Sequence, residues 1–115
     1  MHELGIANSL LEAVQAEAAR LPGAVVRKVG VTVGELAGVD PEALAFGFEA
    51  IVSGTEWQHL VLEIETRPRM HRCCSCGASF RVIDYQFACP KCFASQTECI
   101  GGDELQLAYL EMEEA

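Results

Sequence analysis

The hydrophobic positions first recur at three-and-four spacing. Leu4, Ala7, Leu11, Val14 and Ala18 fall on one helical face, Leu10 and Leu21 widen that stripe, and Glu12, Gln15 and Glu17 lie elsewhere. A helix is therefore expected over residues 4 to about 20, stopped by Pro22-Gly23. The period then falls to two. Val29, Val31 and Val33 alternate with Gly30, Thr32 and Gly34, which predicts a strand over 25–33. Residues 34–39 read as a loop. Asp40-Pro41-Glu42 opens a second helix, with aspartate as N-cap and proline at the first helical position. Leu44, Phe48, Ile51 and Val52 form its core side as far as about Ser53, and Gly54 closes it. Leu60, Leu62 and Ile64 alternate with Val61, Glu63 and Glu65 in a second strand. Leu105, Leu107 and Tyr109 mark a third.

Between the second and third strands the composition changes. At Arg67-Pro68-Arg69 a cysteine-rich stretch begins, and it runs to about Gly101-Gly102. A lone final strand would be unstable, so it is expected to rejoin the first sheet. The fold class is α+β: a small sheet with two helices over residues 1–66 and 102–115, interrupted by an inserted module over 67–101. The Val29–Val33 stretch, taken as exposed, is also a candidate for pairing between chains. No repeat or low-complexity tract is present.

All six cysteines lie between Cys73 and Cys99. A disulfide scaffold would spread them through the chain, whereas clustering points to metal. Cys73 and Cys76 form one C-x-x-C pair, Cys89 and Cys92 a second, with twelve residues between. Two residues between thiolates let a tight turn aim both sulfurs at one metal, about 2.3 Å away for zinc, and four sulfurs complete a tetrahedron. Gly77 suits the left-handed position after such a turn. Ser79-Phe80-Arg81-Val82 reads as a short strand and Asp84-Tyr85-Gln86 as a turn, which is a zinc-ribbon plan. A redox-active pair and a rubredoxin-like iron site use similar residues. The first belongs at a helix start after a strand, and the second favours glycine after each pair, where Phe93 stands instead. Cys74 and Cys99 are left over; Cys99, in a strand-like stretch, is expected to be a small buried hydrophobe. His59 sits in a polar turn. His71, two residues before Cys73, is placed for hydrogen bonding near the knuckle or for visiting the metal.

Charge narrows the function. The net charge of −9, with only eight Lys and Arg among 115 residues, argues against nucleic acid and anionic membranes. It suits a partner with a basic face, or a cation as cargo. No apolar run approaches the roughly 20 residues of a membrane span. No basic segment precedes an apolar run at the amino terminus, so the cytoplasm is the expected location. No nucleophile–base pairing and no phosphate loop is evident, so no catalysis is expected.

A cation site is legible at the start of the chain. The amine of Met1, the backbone nitrogen of His2 and its imidazole can wrap one ion in fused chelate rings, and the Glu3 amide can complete a square. Such nitrogen-rich planar sites suit Ni(II) or Cu(II). Glu3 offsets the positive end of the helix dipole. Asp40 can add a carboxylate if its loop lies near the terminus. Taken alone, however, His2 reads first as a solvated end residue, and the N-cap role fully accounts for Asp40.

These motifs together resemble the HypA/HybF family. The resemblance rests on the Met-His-Glu start, the Val-Gly-Glu-Leu-Ala-Gly-Val-Asp-Pro segment at 33–41, the two cysteine pairs and Gly-Gly-Asp-Glu-Leu at 101–105. It runs nearly end to end with the order of motifs kept. It implies a nickel metallochaperone for [NiFe]-hydrogenase maturation and a mixed sheet with two helices beside a zinc module. Nickel is implied at His2, with the Glu3 amide and the Glu3 and Asp40 side chains nearby, and structural zinc at Cys73, Cys76, Cys89 and Cys92. The implied partners are the nucleotide-hydrolysing accessory protein HypB and the precursor of the hydrogenase large subunit; relatives in some bacteria also serve urease. Phe93 and the extra thiol of Cys74 depart from the family pattern. A zinc-ribbon adaptor that binds protein and carries no nickel is the alternative.

Overall fold

The computed structural model describes residues 2–114, and of His2 only the backbone. Helix α1 spans His2–Arg20 and buries Ala7, Leu10 and Val14 completely or nearly so. Strand β1 (Ala24–Gly34) follows, then a 3-10 turn over Glu35–Ala37 where a plain loop was expected. Helix α2 (Pro41–Val52) starts at the expected cap and buries Leu44, Gly47, Phe48 and Val52, with Ile51 half-buried beside them. Strand β2 covers Val61–Arg67, and β6 covers Leu105–Glu114. The two helices touch closely at Gly47, where an added Cβ would lie 3.8 Å from the Leu4 Cα.

The first sheet has the order β2-β1-β6, with β2 parallel and β6 antiparallel to β1. The mixed sheet follows from connection length. A helix crossover allows the parallel pair, and the return of the chain after the insertion supplies the antiparallel one. β1 is thus the central strand, buried from Val29 to Gly34. That corrects the expectation of pairing between chains along this strand, since both of its edges are already hydrogen-bonded.

The β6 alternation is also corrected. Register shifts between Val26 and Lys28, and between Gly30 and Val31, put bulges at Arg27 on β1 and at Ala108 on β6. Beyond the second bulge the inward set changes phase. Leu107 faces Val31, but Leu110 faces Val29 and Met112 faces Val26, while Tyr109 stands on the opposite side, in register with Gly30. Leu107, Leu110 and Met112 pack on the main core, whereas Leu105 and Tyr109 are substantially exposed.

The stretch between β2 and β6 forms a second sheet of order β4-β3-β5, built from β3 (Met70–Cys73), β4 (Ser79–Arg81) and β5 (Thr97–Gly101). Its core is small: Cys73, Phe80, Val82 and Cys89. The two sheets lie end to end, so the chain measures 55 × 28 × 15 Å with a radius of gyration of 18.1 Å, against about 13 Å for a compact chain of this length.

The junction between the sheets is tightly bonded. Gly34 N donates to Glu104 O (2.7 Å) and Leu36 N to Gly102 O (2.6 Å), while beside them Val82 N donates to Arg69 O (2.9 Å) and extends the β3–β4 pairing. Gly102 has φ +108, and an added Cβ would sit 2.6 Å from the Arg69 Cα. Arg81 on β4 pairs with Glu35 of the 3-10 turn at 3.0 Å, joining the two parts through side chains.

Candidate metal centre

Cys73, Cys76, Cys89 and Cys92 present sulfurs that all lie within 4.8 Å of one another. Cys73 Sγ is 3.5 Å from Cys92 Sγ, and Cys76 Sγ is 3.6 Å from Cys89 Sγ. Those separations are too long for a disulfide, about 2.05 Å. They match the edge of a tetrahedron around one ion held at about 2.3 Å, which is about 3.8 Å. The residues therefore fit a single four-thiolate metal site.

Two equivalent turns build the cluster. Gly77 N donates to Cys73 O (3.0 Å) and Cys73 N to Ala78 O (2.9 Å); Phe93 N donates to Cys89 O (2.8 Å) and Cys89 N to Ala94 O (3.0 Å). Amides inside each turn point at the first sulfur, Ser75 N and Cys76 N at Cys73 (3.3 and 3.4 Å), and Lys91 N at Cys89 (3.4 Å). Each turn ends on a left-handed residue, Gly77 at φ +77 and Phe93 at φ +65. The first is as expected. The second shows that the phenylalanine does not change the turn.

The proton balance favours a cation. The N–H of Cys76, joined by that of Ser75, outweighs burial and draws the Cys73 thiol down to about 6. The N–H of Cys92 lowers Cys89 in the same way. Cys92 goes the other way, up to about 11: against the pull of the Ala94 N–H stand its contact with Cys73, burial, and its contacts with Cys76 and Cys89. Four negative sulfurs cannot share this volume unaided, so the last thiolates form only when a positive ion balances them.

The other cysteines and histidines take separate roles. Cys74 is exposed and outside the cluster. Cys99 is exposed on β5, not buried as expected; β5 is an edge strand of the second sheet, and the buried positions are His71 and Phe80 instead. His71 is buried and bonded: Arg69 Nε donates to His71 Nε2 (3.0 Å), so Nδ1 carries the proton and donates to Thr97 Oγ1 (3.0 Å), which donates to Phe87 O (2.7 Å). Burial first, and then Arg69, lowers its pKa. It supports the knuckle as a hydrogen-bonding residue. His59 is exposed, with ring nitrogens 3.0 Å from the carbonyls of Glu56 and Val26.

At the other end, α1 begins at His2, which puts Glu3 in its first turn. Glu3 Oε2 accepts from the Asp40 amide at 3.4 Å, and Asp40 Oδ1 caps α2 by accepting from Glu42 N (2.9 Å) and Ala43 N (3.5 Å). The starts of both helices therefore meet, and the expected approach of Asp40 to the terminus is met at Glu3. The Met1 amine and the His2 imidazole lie outside the described residues. Sequence reasoning did not find the Gly34–Gly102 junction or the Arg81–Glu35 pair; only the Gly101-Gly102 dipeptide pointed that way.

Comparison with known proteins gives full-length matches. The family described as "Hydrogenase/urease nickel incorporation, metallochaperone, hypA" matches residues 1–112. A "Hydrogenase maturation factor HypA" of Acidithiobacillus ferrooxidans is 39% identical over 114 residues, covering 98% of this chain and 100% of its own. One from Wolinella succinogenes is 40% identical over 115 residues, covering 98% of this chain and 96% of its own. Among solved structures, "Solution structure of HypA protein" has a TM-score of 0.70 at 25% identity, covering 98% of this chain and 97% of its own. That of the Ni metallochaperone HypA from Helicobacter pylori has a TM-score of 0.64 at 23% identity over 100% of both chains.

Proposed function

We propose that this chain, which belongs to the HypA family of nickel-incorporation metallochaperones, binds Ni(II) at its amino-terminal end and delivers it to the precursor of a [NiFe]-hydrogenase large subunit. The observation that carries this reading is the Glu3–Asp40 contact. It joins the first turn of α1 to the cap of α2, which supports a reading in which the Glu3 and Asp40 carboxylates lie near the nitrogen donors proposed for the terminus, far along the sequence from the four thiolates. The donors in this reading are the Met1 amine, the His2 backbone nitrogen and imidazole, and the Glu3 amide, with the Glu3 and Asp40 side chains nearby. A site of nitrogen donors at a chain end suits a carrier, since it selects Ni(II) by geometry and still opens for release.

Zinc is the proposed resident ion of Cys73, Cys76, Cys89 and Cys92, where four thiolates would hold it and stabilise residues 67–101. Residues 1–66 and 102–115 would form the nickel-binding unit. The partners proposed are a HypB-type nucleotide-hydrolysing protein, the hydrogenase precursor and, where urease is present, its accessory proteins. The setting is the cytoplasm, and the role is carriage without catalysis.

Titration of the zinc-loaded protein with Ni(II), followed by calorimetry and nickel-edge absorption, tests the assignment. Substituting His2→Ala should remove the nitrogen-rich spectrum and weaken binding. Unchanged affinity would reject the terminal site.

A further inference from the structure

The two metal-binding turns are near copies in backbone and hydrogen bonding, yet one ends on glycine and the other on Phe93. A left-handed backbone disfavours any side chain with a Cβ. Phe93 nevertheless holds φ +65 and is 79% exposed, so it is not there to fill the core. Tyr85 repeats the pattern, at φ +59 and 84% exposed. Phe93, Ile83 (59% exposed) and Phe87 line an open cavity of about 570 Å³, floored by Phe80 and edged by Arg81, and Tyr85 stands on the same loop outside that lining. Backbone strain combined with exposed apolar area points to a surface kept for contact.

Charge says what fits it. Residues 67–101 hold five basic and two acidic side chains, a formal +3, while the rest of the chain holds three and fifteen, a formal −12. Four thiolates around a divalent ion would still leave the module positive. Arg69 lies over the Phe87 ring, 4.6 Å from its centroid. Lys91 stands in the turn that ends on Phe93. An acidic partner is repelled by one end of this elongated molecule and drawn to the other.

We propose that the Ile83–Phe87–Phe93 surface of the cysteine module docks an acidic segment of a protein partner, one of whose apolar side chains enters the cavity between them. The basic rim steers the segment, and the aromatic side chains hold it. The surface lies outside the proposed nickel donors, so the inference stands or falls apart from that assignment.

The test is an NMR titration of the zinc-loaded, isotope-labelled full chain with three short peptides. One is acidic with a central phenylalanine, one has its charges replaced by lysine, and one is acidic with a central alanine. The acidic phenylalanine peptide should shift the amides of Ile83, Phe87 and Phe93 saturably, and the other two should bind at least about fivefold more weakly. Phe93→Gly, which relieves the backbone, and Lys91→Glu should each weaken binding by a similar factor with zinc content unchanged. Equal binding of the lysine peptide, or shifts elsewhere or none, would overturn the proposal. So would concentration-dependent shifts of the same amides without peptide, which would mean a second copy, or loss of folding in Phe93→Gly, which would make Phe93 structural.

Discussion

Tyr109 on β6 lies across Gly30 of β1 and donates its phenolic hydrogen to the Glu63 carboxylate on β2. One side chain thus spans all three strands on the face away from the helices. Only glycine leaves room for it, because a Cβ at position 30 would collide with the ring. Gly30→Ala should therefore destabilise by about 2 kcal/mol, as overpacking does. Urea unfolding of the pair with Tyr109→Ala should show less than additive loss, since the second change removes the clash.

The same bond sets a pH window. Hydrogen bonding from Tyr109, and then the Lys28 charge, lowers Glu63 from 4.5, so its contribution is present above 4.5 and is lost as pH falls through the lowered value. Bonding to Glu63, with burial and neighbouring carboxylates, raises Tyr109 from 10.0 to about 12, so its contribution is full below 10.0 and is lost as pH rises through about 12. Tyr109→Phe should lower the urea midpoint by a small, constant amount between those limits. A difference that persisted unchanged at the extremes would separate the effect from this bond.

Removing the metal should melt one part of the molecule. Among the described residues, the apolar core of the cysteine module is only Cys73, Phe80, Val82 and Cys89, two of them proposed ligands, whereas the main core holds eleven buried residues from α1, β1, α2 and Leu60 just before β2. Chelation should collapse the amide dispersion of β3, β4 and β5 while β1, β2 and β6 keep theirs. Cys89→Ser should lose the bound metal, and Cys74→Ser and Cys99→Ser should retain one equivalent. Affinity measured by chelator competition should fall as pH drops, and more steeply below about 6, where Cys73 also protonates.

The junction makes a sharper demand on one glycine. Gly102→Ala faces both a φ of +108 and the Arg69 backbone. The main chain must move, at a cost of about 2 kcal/mol. Hydrogen exchange should accelerate at Leu36, whose amide donates to Gly102 O, and at Val82, whose amide donates to the Arg69 carbonyl of the backbone that must move.

Asp40 separates capping from metal binding. Asp40→Ala should lose about 1 kcal/mol of stability through the lost cap, while Asp40→Asn keeps it. Calorimetric Ni(II) affinity should fall in both variants if the carboxylate serves the ion. Full affinity in Asp40→Asn would confine Asp40 to its capping role.

Much of the molecule was legible without coordinates, and the reason is locality. Asp40-Pro41 marked the start of α2 because capping chemistry is settled within one turn. The valine alternation marked β1. The two C-x-x-C pairs stated a four-thiolate cluster because the ligands lie within two tight turns. Phe93 is the instructive exception. It read as a departure from the pattern at the second knuckle, yet the backbone holds the same left-handed turn with or without glycine.

What the chain's own order of residues determined, then, is the kind and sequence of elements, the metal chemistry of the insertion and the acidic balance of the rest. What only tertiary structure decided is phase and proximity. The bulge at Ala108 turns Tyr109 outward, and no local pattern announces it, because register depends on which partner strand arrives. The place of β5 at the edge of the second sheet exposes Cys99. The meeting of Glu3 with Asp40 joins residues 37 positions apart. Such contacts arise when whole elements pack, and a single element's sequence carries no record of its neighbour.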